Sequence, residues 1–252
     1  MSQPLKTLRL VMPQWQGGGL PTYILGSRLL AWLAPQSDAI VREVPVAEPG
    51  ELPLEQGIYA RSAILRQDQE ALRIIQEVAP DRIVTFGGDC SVSLVPFSYL
   101  ASRYAGDVAV LWIDAHTDFK ANDTYPYAHG YPVNHLLGHG DPEFVAFVKD
   151  PVPATRLAYV GVQKRAYADL PVFTELGATA FDPAEITPDF TEVTSWIQQT
   201  GASKLLIHVD LDVLDPHFFR AQHVGNPAGP EDRYRAVPSG KITLDQVTAL
   251  LL

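Results

Sequence analysis

Short apolar runs alternate along this chain with stretches whose apolar residues recur every three or four positions. Leu8 to Met12 reads as a strand, and Gln14-Trp15-Gln16-Gly17-Gly18-Gly19 as a flexible turn. Pro21 opens a helix over Tyr23 to Leu33. A strand at Ala39 to Val46 precedes a Pro/Gly/Glu-rich loop, and Ile64, Leu65, Leu72, Ile75 and Val78 mark one face of a helix from Ala60 to Val78. Arg82 to Phe86 is the next strand, ending in Gly87-Gly88. Leu94 to Tyr104 reads as a helix, Val108 to Ile113 as the central strand, and Val133 to Leu137 as a helical turn. Strands at Arg156 to Val160 and Ala178 to Phe181, a helix at Phe190 to Thr200, and a strand at Lys204 to Val209 complete the alternation. A last amphipathic helix begins at Thr243. Repeated β–α units predict a mainly parallel sheet with helices on both faces, and catalytic groups at the carboxyl ends of its strands. A TIM barrel obeys the same placement rule.

The central strand carries unusual polar residues at its exit. Val108 to Ile113 is apolar enough to be buried on both faces, and it runs into Asp114-Ala-His116-Thr-Asp118. In extended backbone alternate residues point the same way, so Asp114, His116 and Asp118 are expected to leave the strand together. Lys204 to Val209 likewise ends in Asp210-Leu-Asp212-Val-Leu-Asp215-Pro216. Were the two strand ends neighbours, four carboxylates would crowd one pocket, and two divalent ions would neutralise them. Solvated loop acids or helix N-caps are the plainer reading of either cluster alone; two such clusters, each behind a core strand, favour the metal.

Composition narrows the classes. With 252 residues and no long Gly/Ser or charged linker, one α/β domain over 1–252 is the expectation. A net charge of -10 argues against a general nucleic-acid binder. The single cysteine, Cys90, points to a reducing compartment. No apolar run is long enough to cross a bilayer, and the segment after Thr7 to Met12 has no cleavage-site pattern, so a cytoplasmic protein without membrane contact is expected.

These residues carry a family resemblance. Asp114-Ala-His116-Thr-Asp118 and Asp210-Leu-Asp212-Val-Leu-Asp215-Pro216 resemble the two metal-binding signatures of the ureohydrolase family, which includes arginase, agmatinase and formimidoylglutamase. Gly87-Gly88-Asp89-Cys90-Ser91 resembles its third signature, except that Cys90 stands where the family has a metal-ligating histidine. The resemblance covers roughly Ile83 to Pro216 and favours the open three-layer α/β/α sandwich over the barrel.

The resemblance implies an active site. Asp114 and Asp210 would bridge two metals, His116 and Asp212 would complete one site, and Asp118 and the residue at Cys90 the other. Oxygen-rich ligation with one imidazole suits Mn²⁺, two per chain when both sites fill. A metal-bridging hydroxide, steered by Asp118, would attack a guanidinium or formimino carbon and release urea or formamide, with His129 shuttling a proton to the leaving amine. A homotrimer or hexamer is also implied, and Trp15, Trp32 and Trp196 are candidate exposed aromatics for its contacts. His135 and His139 read as packing or surface residues and His208 as a satisfied core histidine, while His217 and His223 take no role.

Three departures leave alternatives open. At Cys90 a thiolate would shift preference toward Zn²⁺ or Fe²⁺ and over-charge the pocket; a protonated thiol would leave one site weak; an inert buried cysteine would do neither. A nucleophilic cysteine of the amidinotransferase type would leave the metal signatures without purpose. The family continues into a core strand bearing a guanidinium-binding glutamate, and no residue here takes that role, so a missing or altered C-terminal strand is the expectation. The loop holding Lys120 and Asp123 does not resemble the one with which arginases hold an α-amino acid, which lowers arginine as substrate. The competing functions are an altered member that keeps one metal and binds a small ligand with little turnover, and a metal-dependent amide or phosphoester hydrolase.

Overall fold

A computed structural model describes residues 5–120, 125–168, 170–222 and 238–252. In chain order its elements are β1 (Thr7–Met12), α1 (Thr22–Leu33), β2 (Ile40–Glu43), β3 (Leu54–Glu55), β4 (Ile58–Tyr59), α2 (Arg61–Val78), β5 (Arg82–Gly87), α3 (Leu94–Arg103), β6 (Val108–Ile113), α4 (Pro132–Leu136), α5 (Pro142–Val145), β7 (Leu157–Val160), α6 (Lys164–Tyr167), α7 (Pro171–Thr174), β8 (Thr179–Phe181), α8 (Thr191–Gln199), β9 (Lys204–Val209) and α9 (Leu244–Leu251). Contacts divide the chain into two compact units, Met1–Gly106 with Asp118–Pro151, and Asp107–Thr117 with Val152–Leu252.

The first unit holds a parallel sheet in the order β2-β1-β5. Leu8, Leu10 and Met12 alternate along β1 and pack with Ala71, Ile74, Ile75 and Val78 of α2 and Val95 of α3. The helical period of α2 thus meets the strand period of β1, as the apolar pattern predicted. Ala79, left-handed at φ 48°, ends α2 and donates its N–H to the Ile75 carbonyl. Ser27 of α1 donates its hydroxyl to the Phe86 carbonyl of β5 at 2.6 Å. The Pro/Gly/Glu-rich loop contains the hairpin β3–β4, whose two-residue turn has positive φ at both Gln56 and Gly57. Glycine was visible there, but glutamine is a rare occupant of the left-handed position.

The second unit holds a parallel sheet in the order β8-β7-β6-β9. All six residues of β6 are buried, and its apolar run is what a strand paired on both edges requires. Ala109, Leu111 and Ile113 pack with Val193 and Trp196 of α8 and Val247 of α9. A capping box between Thr243 and Gln246 starts α9. Trp15 and Trp196, expected at the surface, are 3% and 9% exposed, whereas Trp32 on α1 is 78% exposed. Trp15 is bonded instead to the Ala47 carbonyl through its indole N–H. Among the described residues no helix is long and apolar enough to cross a membrane.

Candidate metal centre

β6 ends at Ile113, and Asp114-Ala115-His116 bend away from it. Asp114 closes the bend by accepting the His116 backbone N–H on Oδ1 at 2.7 Å, as short polar side chains do in turns. The extended alternation expected through Asp118 therefore stops at Asp114. Asp118 lies beyond the bend in a left-handed conformation, φ 44°, and belongs to the first unit.

β9 ends in the same way. Asp210 caps a 3-10 turn over Leu211–Val213, its Oδ1 accepting the Asp212 N–H at 2.8 Å. The cap reading and the metal reading are thus compatible, because a carboxylate oxygen that accepts one N–H keeps a lone pair for an ion. β6 and β9 are direct neighbours, with Ile113 opposite Val209. The Asp210 N–H continues that ladder to the Ile113 carbonyl at 2.8 Å, and the Asp114 N–H donates to Val160 of β7 at 3.0 Å. Two glycines let the chain close behind these ends. A side chain at Gly161, φ 109°, would lie 2.8 Å from the Asp114 carbonyl oxygen, and one at Gly240 would lie 2.2 Å from that of Asp212.

Asp114, His116 and Asp212 each offer a ligand atom within 4.8 Å of the others. His116 Nδ1 is 3.1 Å from Asp212 Oδ2 and 3.5 Å from Asp114 Oδ1. Burial opposes a charged imidazole here, but the Asp114 and Asp212 carboxylates outweigh it and hold the His116 pKa far above its ordinary value. Burial in turn pushes Asp114 and Asp212 upward. His116 Nε2 and Asp212 Oδ1 are buried with no hydrogen-bond partner, a costly condition that a cation would relieve. One nitrogen among carboxylate oxygens is a donor set that fits a hard or borderline divalent ion.

A further grouping shares Asp114. Ligand atoms of Asp114, His208 and Asp210 also lie within 4.8 Å of one another. His208 is stacked on Trp112, with ring centroids 3.7 Å apart and planes 7° apart, and its Nε2 is 3.9 Å from Asp114 Oδ2. Trp112 donates its indole N–H to that same oxygen at 3.0 Å. Burial pushes the His208 pKa down to about 3, so the ring is neutral near pH 7. The sequence places His208 in the core, and its position two residues before Asp210 sets both on the same strand face.

Cys90, Lys120, His129 and His135 lie in the first unit. Cys90 is partly exposed and begins the 3-10 turn Cys90–Ser93, which Asp89 caps by accepting the Ser91 N–H at 3.1 Å. Burial pushes Asp89 up to about 6, against hydrogen bonds from Ser91, Gln14 and Gly17. His129 sits in the turn Ala128–Gly130, with Nε2 2.6 Å from the Tyr125 hydroxyl and its backbone N–H on the Gly17 carbonyl. Lys120 lies over the Tyr125 ring, 4.0 Å from its centroid. His135 is buried and stacked on Phe144, and His217 is exposed and paired with Asp215. Asp123 and His223 lie outside the described residues.

Parallel α/β sheets with Asp and His side chains gathered at the carboxyl ends of adjacent strands define an α/β protein built around a candidate carboxylate–imidazole metal centre. The model of the arginase family matches residues 21–233, and the chain belongs to that family. It is 29% identical over 148 residues to the arginase of Eremothecium gossypii, a match covering 55% of this chain and 37% of that one. The arginase of Entamoeba histolytica, solved with L-ornithine, superposes with a TM-score of 0.73 at 17% identity, covering 96% of this chain and 83% of that one. The proclavaminate amidino hydrolase of Streptomyces clavuligerus gives 0.67 at 17% identity, covering 99% and 79%. The fold is therefore the mainly parallel three-layer α/β/α sandwich that the sequence predicted. The chain spans less than half the length of the first fungal arginases it matches, 37% and 45% of them.

Proposed function

We propose that this chain is a metal-dependent hydrolase that cleaves a C–N bond of a guanidino or formimino compound, releasing urea or formamide. The observation that carries the reading is the Asp114–His116–Asp212 cluster, Asp114 buried and the other two half-buried, with its two buried, unpartnered polar atoms. Those three residues would hold one divalent ion, Mn²⁺ by the character of the donors. By motif resemblance Asp210, Asp118 and Cys90, with Asp114, would hold a second ion. When bound, the ions supply the Lewis acidity that makes water nucleophilic near neutral pH.

The chain's own groups do the rest. Asp118 accepts a hydrogen bond from the attacking water and directs it at the central carbon of the substrate. His129 carries a proton to the departing amine, an imidazole being suited to give and take protons near pH 7. The contact between its Nε2 and the Tyr125 hydroxyl, together with its backbone bond to Gly17, holds the ring in place for that transfer. An agmatine-like cation without an α-amino acid head is the preferred substrate class, because the loop after Asp118 does not resemble that of arginases. A cytoplasmic location follows the single cysteine, and a homotrimer or hexamer follows the family resemblance, with Trp32 and Leu25 on α1 as exposed apolar candidates for its contacts.

One observation favours a second reading. Cys90 occupies the motif position of a histidine, so a member that keeps one ion and binds a small ligand with little turnover is the alternative. Mn²⁺-loaded protein is to be incubated with agmatine, arginine, guanidinobutyrate and formimidoylglutamate while urea and formamide are followed. Product from at least one compound, abolished by Asp118→Asn, is expected. Tight ion binding without product from any of them would favour the second reading.

A further inference from the structure

We infer that His208 is a metal ligand, supplying a second imidazole to an ion held with Asp114 and Asp210 at the ends of β6 and β9. The inference rests on the metal-centre reading above and deepens it, since no signature of the sequence assigns His208.

Register makes the case first. Trp112 stands directly opposite His208 in the β6–β9 ladder, and the Asp210 N–H extends that ladder to Ile113. Because side chains alternate, Trp112 and Asp114 on one strand share a face with His208 and Asp210 on the other. The ligand atoms of Asp114, His208 and Asp210 accordingly fall within 4.8 Å of one another. Such a spread is small enough for one cation to collect all three by rotamer adjustment alone.

Chemistry makes the case second. Two carboxylates and an imidazole form a donor set for a borderline divalent ion, the same types that Asp114, His116 and Asp212 present a few ångströms away. The surroundings hold the ring in place. Trp112 lies flat against it at 3.7 Å and ties Asp114 Oδ2 with its indole N–H, fixing imidazole and carboxylate relative to each other. A histidine kept only for packing would gain from the stack but has no need of two carboxylates beside it.

The test uses the full chain. Wild type, His208→Phe and His208→Gln are loaded with Mn²⁺ and with Co²⁺, freed of excess ion, and analysed for metal content and affinity. His208→Phe keeps an aromatic ring against Trp112, and circular dichroism confirms folding. Loss of about one ion per chain, or affinity weaker by on the order of 100-fold in both variants, is expected. In the Co²⁺-loaded protein the hyperfine-shifted, exchangeable imidazole N–H signals should number two in wild type, for His116 and His208, and one in His208→Phe. That count is read on wild type alone if a variant fails to fold. Ion binding with a single such signal in wild type, or equal metal affinity in folded His208 variants, overturns the role of His208 and leaves the His116 centre standing. Absence of any tightly bound divalent ion in wild type overturns the centre itself and this inference with it.

Discussion

The backbone N–H of Asp212 donates to Oδ1 of Asp210 at 2.8 Å, so the carboxylate that begins the second signature also holds that signature's turn closed. A side chain with both tasks responds differently to removal and to neutralisation. Asp210→Ala is expected to lose the cap, costing about 1 kcal/mol in the ion-free protein, and to lose metal as well. Asp210→Asn caps equally well, so it should keep ion-free stability within a few tenths of a kcal/mol while binding less metal. Urea unfolding in the presence of chelator, beside elemental analysis of the loaded proteins, separates the two effects.

Metal uptake should release protons. The His116 pKa is raised above 6.5, chiefly because the Asp114 and Asp212 carboxylates overcome the effect of burial. Its stabilisation of the ion-free fold is fully present below that ordinary value and is lost only as pH rises through the raised one. A divalent ion must therefore displace a proton at neutral pH, and affinity should fall as pH falls. Titration calorimetry in two buffers of different ionisation enthalpy should show about one more proton released per chain at pH 7 in wild type than in His116→Gln.

His135 should weaken the fold in acid. It is 3% exposed and stacked on Phe144, and burial pushes its pKa down to about 4. Between the ordinary 6.5 and that value the unfolded chain carries a proton that the folded one lacks, so this part of the stability is lost as pH falls through the window. At about 1.4 kcal/mol per unit the full effect is on the order of 3 kcal/mol. Denaturation midpoints of wild type and His135→Phe, taken from pH 7 to pH 4, should diverge by that order, with the variant less sensitive to acid.

Arg61 and Asp141 form a buried, two-pronged ion pair, each N–O distance 2.7 Å. Glu143 adds an exposed carboxylate 2.5 Å from the guanidinium. Arg61→Met would leave Asp141 buried without its partner, and a loss of about 3 kcal/mol is expected. The double variant Arg61→Met, Asp141→Leu should recover most of it, as thermal unfolding of the single and double variants would reveal.

Much of the architecture was legible because it is local. The apolar runs Val108 to Ile113 and Lys204 to Val209 mark β6 and β9 to the residue, and the helical period from Ile64 to Val78 marks α2. Acidic and imidazole side chains at alternate positions behind β6, and carboxylates at alternate positions behind β9, were equally plain. Other features depend on which distant segments meet. That β6 and β9 are neighbours, and in which register, decides that Trp112 lies against His208 and that Asp114 is shared between two groupings of donors. Arg61 and Asp141 are eighty residues apart, and only packing makes them a buried pair rather than two surface charges. The bend at Asp114 also escaped the alternation rule, since that rule assumes extended backbone and the Asp114 side chain ends the extension by binding the His116 N–H. Periodicity and composition by themselves determine where strands and helices form and which residue types stand at their ends, because those depend on neighbours along the chain. The tertiary structure alone decides which ends converge and which buried polar atoms are left facing one another, because desolvation and strand pairing act between segments that the sequence holds far apart.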